Sequence, residues 1–127
     1  MNILKSIDIE DEIRIALKDY VTAYVRPLPE NFTVPSVLVE QMGGSGANTI
    51  DGFVVRLSAR AKTDAEANDL IRTALAVLEA QSKAQFGKLR YSTENSLASW
   101  GSDPVRPDLK LCTATVQVFA HKEPLTI

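Results

Sequence analysis

The stretch from Val34 to Ala80 constrains the fold of this chain most strongly, because it carries the signals of two strands and a helix in direct succession. Thr63 followed by Glu66 has the spacing of a helix capping box. After this cap, apolar side chains recur at intervals of three and four residues, which predicts a helix with one apolar face. The stripe consists of Ala67, Leu70, Ile71, Ala74, Leu75 and Leu78. A helix of this kind needs an apolar sheet to cover.

The residues before this helix predict the sheet. Apolar side chains occupy every second position from Phe53 to Ala59, and a mixed set alternates with them, which is typical of a strand with one buried face. A shorter strand with the same alternation is predicted from Val37 to Gln41. The segment between them, Met42 to Gly52, is too long and too glycine-rich for a tight two-residue turn. We therefore expect a mobile, projecting loop there.

The two ends of the chain add further elements. An amphipathic helix is predicted from Ile9 to Val25, with Asp8 as its N-cap and a stop at Arg26-Pro27. In the C-terminal part, alternation indicates that a third strand begins at Leu89, and Trp100 to Asp108 reads as a turn-dense loop. The last strand is the longest, and its small apolar side chains face one way: Cys112, Ala114, Val116, Val118 and Ala120.

These elements give the order α-β-β-α-β-β. We therefore expect one α+β domain covering residues 1–127, with a four-stranded, mainly antiparallel sheet and both helices packed on one face. The other face of the sheet would carry polar and large side chains mixed together. That composition suits partial burial against another subunit.

Composition excludes several classes of protein. The net charge of −2 provides no global basic field of the kind that a dedicated nucleic-acid-binding protein shows. The single cysteine, Cys112, excludes an internal disulfide and a multi-cysteine metal site. No apolar run has the length of a membrane span, and no early apolar segment resembles a signal peptide, so we expect no membrane association and synthesis in a cytoplasm.

No motif supports catalysis. The Gly44-Ser45-Gly46 segment lacks the third glycine of the dinucleotide fingerprint and the lysine of a P-loop, so a flexible hairpin loop is favoured over a phosphate site. Cys112 lies on the small apolar face of a strand and is predicted to be a buried thiol, and His121 to be an exposed strand-end residue. We expect no enzymatic activity, no cofactor and no metal.

The sequence contains more signals for contacts with other proteins than for catalysis. Trp100 lies beside a Gly-Ser-Asp-Pro turn, where a tryptophan is either a lid on the core or an anchor at an interface, and both alternatives stay open. Met42, beside the glycine-rich segment, is a weaker candidate of the same kind. The two predicted loops supply the candidate protein-contact residues, which are Met42, Gly44, Ser45, Asn48, Trp100, Asp103 and Arg106.

The order of these segments resembles the tail terminator (tail completion) proteins of long-tailed bacteriophages. The resemblance covers nearly the whole chain and follows the first helix, V-P-S-V-L-V with G-G at its end, F-V-V-R-L-S-A-R-A-K, T-D-A-E-A-N-D-L-I-R-T-A-L and C-T-A-T-V-Q-V-F-A. It implies a structural virion protein that forms a ring, typically of six copies. Such a ring caps the finished tail tube, ends its polymerisation and provides the joint to the head connector.

The resemblance also implies the partners: other copies of the chain, the tail tube protein, and the head–tail connector or neck protein. DNA would only pass through the lumen as cargo. The protein would be assembled in the cytoplasm of the bacterial host and would lie at the tail–head junction of the virion.

Two alternatives remain. A neck or head-closure protein of the same particle differs in its partner, and co-purification with tail tube or with portal separates the two. A cytosolic α+β domain that binds a small ligand predicts a monomer or dimer with a closed pocket and a thermal shift with a metabolite.

Overall fold

The computed structural model describes residues 3–47, 49–82, 89–92, 99–104 and 106–125. Within these ranges the chain forms two helices and eight strands, and no helix there is both long and apolar enough to cross a membrane. In chain order the elements are β1 (Leu4–Lys5), α1 (Ile9–Leu17), β2 (Ala23–Val25), β3 (Ser36–Ala47), β4 (Ile50–Ala61), α2 (Asp64–Ser82), β5 (Leu89–Ser92), β6 (Ser99–Ser102), β7 (Lys110–His121) and β8 (Glu123–Pro124).

Helix α2 begins at the predicted cap. The Glu66 amide donates a hydrogen bond to Thr63 Oγ1 at 3.2 Å, which satisfies one of the free amides at the helix N-terminus. Four side chains of the predicted stripe are buried, and Leu70 and Leu75 pack partly buried against the core. The fully buried members are Ala67, Ile71, Ala74 and Leu78. The prediction of this amphipathic helix is confirmed.

The two helices lie on the same side of the main sheet. Helix α2 contacts β4, β7 and β5, while α1 contacts β2, β3 and α2. The predicted alternation of β4 and β7 is confirmed, because the side chains that face the helices are buried in one apolar cluster. From these two strands the cluster takes Phe53, Val55, Leu57, Ala59, Cys112, Ala114, Val116, Val118 and Ala120.

The predicted four-stranded sheet and the order α-β-β-α-β-β are wrong, although the domain is of the mixed α+β class. The main sheet has six strands in the order β2-β3-β4-β7-β5, with β6 also paired to β7, and β1 pairs with β8 in a separate two-stranded sheet. The strands absent from the prediction, β1, β2, β6 and β8, have two to four residues each. Strands this short carry too few residues for an alternating pattern to identify them.

The first helix is shorter than predicted. It ends at Leu17, and Ala23–Val25 forms β2, which pairs in parallel with Val37–Val39 of β3. The segment after Leu17 is rich in β-branched and aromatic side chains, which favour extended backbone over helix. Tyr20 lies within the predicted range of this helix but follows its actual end, and it is 63% exposed. The predicted N-cap is confirmed, since Asp8 Oδ1 accepts a hydrogen bond from the Asp11 amide.

The predicted projecting loop from Met42 to Gly52 is also wrong. Strands β3 and β4 pair through this segment as far as Ala47 and Ile50, with a β-bulge between Gln41 and Gly43. We call Gly43–Ala47 together with Ile50–Gly52 the glycine arm. Gly44 is needed for the close packing of backbone in this arm, because a Cβ there would lie 2.4 Å from the Gly52 carbonyl oxygen.

Two side chains protect the edge of β3 beside the bulge. Among the described residues, no strand pairs with β3 beyond Val39 on the side away from β4. At Gln41, the amide donates to Glu10 Oε2 at 3.0 Å, and the carbonyl accepts from Arg26 Nη2 at 3.5 Å. Burial alone would raise the pKa of Glu10, but hydrogen bonds from Arg26 and from the Gln41 amide hold that pKa below its ordinary value of 4.5. The ion pair between Glu10 and Arg26 thus caps the strand edge at a single residue, Gln41.

Replacing Gly44 with alanine tests the close approach in the glycine arm. We expect Gly44→Ala to lower the free energy of unfolding by roughly 1–3 kcal/mol, because the new methyl group would overlap the Gly52 carbonyl. Gly43→Ala is the matched control, since a Cβ there meets nothing within 4 Å. Urea denaturation of both variants measures the difference. Equal stability of the two variants would contradict this packing.

The edge cap predicts a pH-dependent contribution of Glu10. Because its folded-state pKa is depressed, its contribution to stability is present above the ordinary pKa and is lost as pH falls through the folded value. Glu10→Gln should therefore destabilise the protein at neutral pH, and its difference from the natural protein should shrink towards pH ~3. Glu30→Gln, at an exposed carboxylate away from the strand edge, is the control variant. Urea titrations across this pH range provide the measurement.

Candidate interaction surfaces

The structure separates the predicted protein-contact residues into two regions. Met42, Gly44 and Ser45 lie in or beside the glycine arm, and all three are exposed. Asn48 lies outside the described residues. The remaining three, Trp100, Asp103 and Arg106, follow one another near the start of β7. The candidates therefore do not form a single site.

The end of the sheet at the glycine arm presents exposed apolar side chains. Met42, in the bulge, is 52% exposed, and Ile50 and Phe119 are each 44% exposed. Phe119 pairs across from Gly52, and a Cβ at that glycine would lie 3.3 Å from the Phe119 ring. A depression of about 320 Å³ lies here, lined by Gly44, Ser45, Gly52, Phe53, Val54, Gln117 and Phe119. Exposed apolar groups around a depression are typical of protein contact surfaces.

Trp100 lies in a strand and not in the predicted loop. It belongs to β6 and pairs directly with Cys112 of β7, so its side chain is on the sheet face that carries the helices. Cys112 is fully buried as predicted, and this burial, with Asp64 nearby, raises the pKa of its thiol. Trp100 is 53% exposed, which favours the interface anchor over a lid on the core.

Asp103 is a buried structural residue. It is 2% exposed, and its Oδ2 accepts a 2.9 Å hydrogen bond from Arg60 Nε on the sheet face away from the helices. Its amide also donates to the Leu109 carbonyl at 3.1 Å, which closes the connection onto the sheet. A charged pair this deeply buried stabilises the fold only while both members are present.

Arg106 lies next to this pair, and we call Phe32, Arg60, Asp103 and Arg106 together the Phe32 cluster. The guanidinium carbons of Arg60 and Arg106 lie 5.9 and 5.3 Å from the centre of the Phe32 ring, which is itself 9% exposed. Arg106 also forms a more exposed ion pair with Asp108 at 3.7 Å. Phe32 is thus held between two cations and covers the part of the sheet that the helices do not reach. Arg106 and Asp103 therefore have clear structural roles.

The rest of this sheet face is open. Beyond the Phe32 cluster it carries an ion pair between Glu40 and Arg56 at 3.1 Å, followed by Thr115, Gln117 and Phe119, which are all exposed. This mixture of charged, polar and aromatic groups matches the composition expected from the sequence. It provides a surface on which a partner protein can be partly buried.

Within the described ranges, no group of three or more His, Cys, Asp and Glu side chains is placed to hold a metal ion. Tyr91 has its pKa raised by burial and by the charge of Glu12, and its hydroxyl lies among core residues. Neither the scan against protein-family models nor the search of curated proteins finds a match for this sequence.

Sequence reasoning missed several exposed or unusual residues. Ile50 lies in the segment where a loop was expected, and Phe119 lies opposite the arm on the mixed sheet face, where the pattern did not single it out. The burial of Asp51 could have been predicted from the sequence. Asp51 occupies the same alternating set as Phe53 and Val55 and so belongs to the buried face of β4. A carboxylate in an otherwise apolar alternation is the signal that identifies it.

Removing the carboxylate of Asp103 tests its structural role. Asp103→Ala leaves the Arg60 guanidinium, 13% exposed, without its ion-pair partner, so we expect a loss of roughly 3–5 kcal/mol in the free energy of unfolding. Asp108→Ala breaks the exposed pair with Arg106 and should cost less than about 1 kcal/mol. Thermal and urea denaturation compare the two variants. A small effect of Asp103→Ala would leave the residue available for an interface role.

Proposed function

We propose that the protein is a structural component of a phage tail, which forms a ring on the end of the tail tube, ends tube polymerisation and provides the joint to the head connector. The observation that carries this proposal is the position of Trp100, a large aromatic side chain more than half exposed on an edge strand of the sheet. Exposed tryptophan on an otherwise ordered strand is a typical anchor of a protein interface.

The geometry of the sheet supports a ring of identical subunits. Ala23, Val37, Ala59, Cys112 and Trp100 occupy one row of paired residues that crosses the sheet from β2 to β6. Trp100 therefore lies at one edge, and the short strand β2 lies at the opposite edge. Each subunit has two different edges that a neighbour can contact, which is the requirement of a heterologous interface.

The directions of the strands agree with such a contact. Because β2 is parallel to β3, and each later step from β3 through β4 and β7 to β6 is antiparallel, the strands β2 and β6 run in opposite directions. Copies placed side by side in the same orientation would thus bring antiparallel edges together. Repetition of this contact gives a closed ring when the rotation per subunit closes and a filament when it does not.

The glycine arm is the proposed surface for the tail tube or the connector. It lies away from the row that contains Trp100, carries the exposed side chain of Ile50 and is flanked by those of Met42 and Phe119. In this proposal, self-association and docking use separate parts of the molecule. DNA passes through the lumen as cargo, without sequence recognition, and the ring resides at the tail–head junction.

Substitution of Trp100 tests the proposed ring contact. We expect Trp100→Ala to shift the protein from a ring-sized species towards the monomer, with an apparent association constant at least about tenfold lower, because an anchor side chain is removed. Trp100→Phe should retain part of the association. Light scattering across a concentration series measures the mass, and Ile15→Ala, at an exposed residue of α1, is the control.

Two outcomes of the same measurements contradict the proposal. A natural protein that stays monomeric at all concentrations, and also in the presence of purified tail tubes, would exclude the ring. A ring that is unchanged by Trp100→Ala would remove Trp100 from the interface. Co-purification with portal in place of tail tube would favour the neck or head-closure protein.

A further inference from the structure

Asp51 is a buried carboxylate with an unused hydrogen-bonding atom. The residue is 4% exposed, and its Oδ2 has no hydrogen-bond partner within the described part of the chain. Its other oxygen lies 3.6 Å from Lys122 Nζ, a loose ion pair. A buried carboxylate oxygen without a hydrogen-bond donor is costly in free energy. Such an atom therefore normally has a donor in the functional state of a protein.

Asp51 is one of the residues that line a cleft beside the glycine arm. The cleft has a volume of about 240 Å³, whereas one water in the liquid accounts for roughly 30 Å³. The lining is mostly polar and consists of Ser6, Gln41, Gly44, Ser45, Gly46, Asp51, Gly52, Phe53 and Lys122. A Cβ on Gly46 would lie 2.8 Å from Asp51 Oδ1, so the glycine keeps the space in front of the carboxylate free. The cleft can hold a group larger than one water.

The charges of the cleft favour a neutral group that both donates and accepts. Asp51 and Lys122 balance one another, so a further ion would leave an uncompensated charge next to a buried pair. A carboxamide carries an N–H donor and a carbonyl acceptor on separate atoms. It can donate to the Asp51 carboxylate and accept from Lys122 at the same time. An Asn or Gln side chain therefore matches this cleft.

The strand beside the cleft has an edge to which a chain can add. Beyond the cap at Gln41, no described strand pairs with the outer edge of Gly43–Gly46. An extended peptide placed there would form backbone hydrogen bonds with β3, and alternate side chains would point to the face that carries Asp51. The cleft and the open edge are adjacent parts of one surface, since Gly44, Ser45 and Gly46 belong to both.

We propose that this surface binds an extended segment of a partner protein, which adds to β3 as a strand and places one Asn or Gln side chain between Asp51 and Lys122. The backbone contacts supply affinity, and the cleft supplies selectivity for the carboxamide. The proposal does not depend on the ring, because the row that contains Trp100 is a different part of the sheet.

Two synthetic peptides test the proposal directly. The first is acetyl-Thr-Val-Asn-Val-Thr-amide, and the second carries Leu in place of Asn. Each is titrated into isotope-labelled natural protein while the backbone amide signals are followed by nuclear magnetic resonance. We expect shifts confined to Gly43–Gly46, Asp51 and Lys122, with the Asn peptide binding about tenfold more tightly, as one hydrogen bond to a charged group implies.

Variants of the cleft separate selectivity from strand addition. Asp51→Asn should remove the preference for the Asn peptide while leaving weak binding of both peptides, and Gly46→Ala should weaken the Asn peptide by crowding the carboxylate. Asp108→Asn makes the same change at an exposed carboxylate outside the cleft and should retain the preference. The amide spectrum of each variant shows whether it remains folded.

Several results would overturn the proposal. These are no binding of either peptide, equal affinity of the natural protein for both, or a preference that survives Asp51→Asn. Shifts located at β6 instead of the glycine arm would point to a different surface. None of these results bears on ring formation, which is measured by mass, so the two proposals fail separately.

Discussion

The fold depends on the burial of one helix on two strands. Helix α2 places its small and branched side chains, among them Ala67, Ile71 and Ala74, onto the apolar face formed by β4 and β7. Alanines on the helix and on the strands allow the layers to approach closely, and the larger side chains fill the space between them. The remaining elements are arranged around this contact: α1 extends the helix layer over β3, and the short strands β2, β5 and β6 widen the main sheet at its edges.

The face of the main sheet opposite the helices is only partly covered. The helices protect a single face of the sheet, and on the other face the Phe32 cluster with Arg60 and Asp103 covers only one end. The opposite end, with Gln117 and Phe119, stays exposed. A face divided in this way is stable alone at its covered end and suited to association at its open end.

The sequence predicts the parts of this fold in which burial repeats at a regular interval. The stripe of α2 and the alternation of β4 and β7 follow from local spacing, and the structure confirms them. The short strands β2 and β6 depend on pairing with residues distant in the chain, for which local periodicity carries no signal. The glycines led to a wrong prediction of irregular structure. Gly44 and Gly46 indicated a loop, whereas they permit a tightly packed hairpin beside Gly52 and Asp51. Among the candidate contact residues, the sequence singled out Trp100, which is exposed, but could not show that Asp103 is buried.

The treatment of its open strand edges links the fold to its proposed roles. An unpaired strand edge invites uncontrolled association, and at Gln41 the carboxylate of Glu10 and the guanidinium of Arg26 occupy the outward peptide groups. That protection stops at the bulge, and the next residues, Gly43 to Gly46, have no such cap in the described structure. The protection of the edge ends where the cleft with the unsatisfied carboxylate begins. This position is expected of a strand that binds a partner, and not of an edge that merely lacks protection. The cap at Gln41 limits where an incoming strand can start, and Asp51 provides the polar group that selects which strand it is.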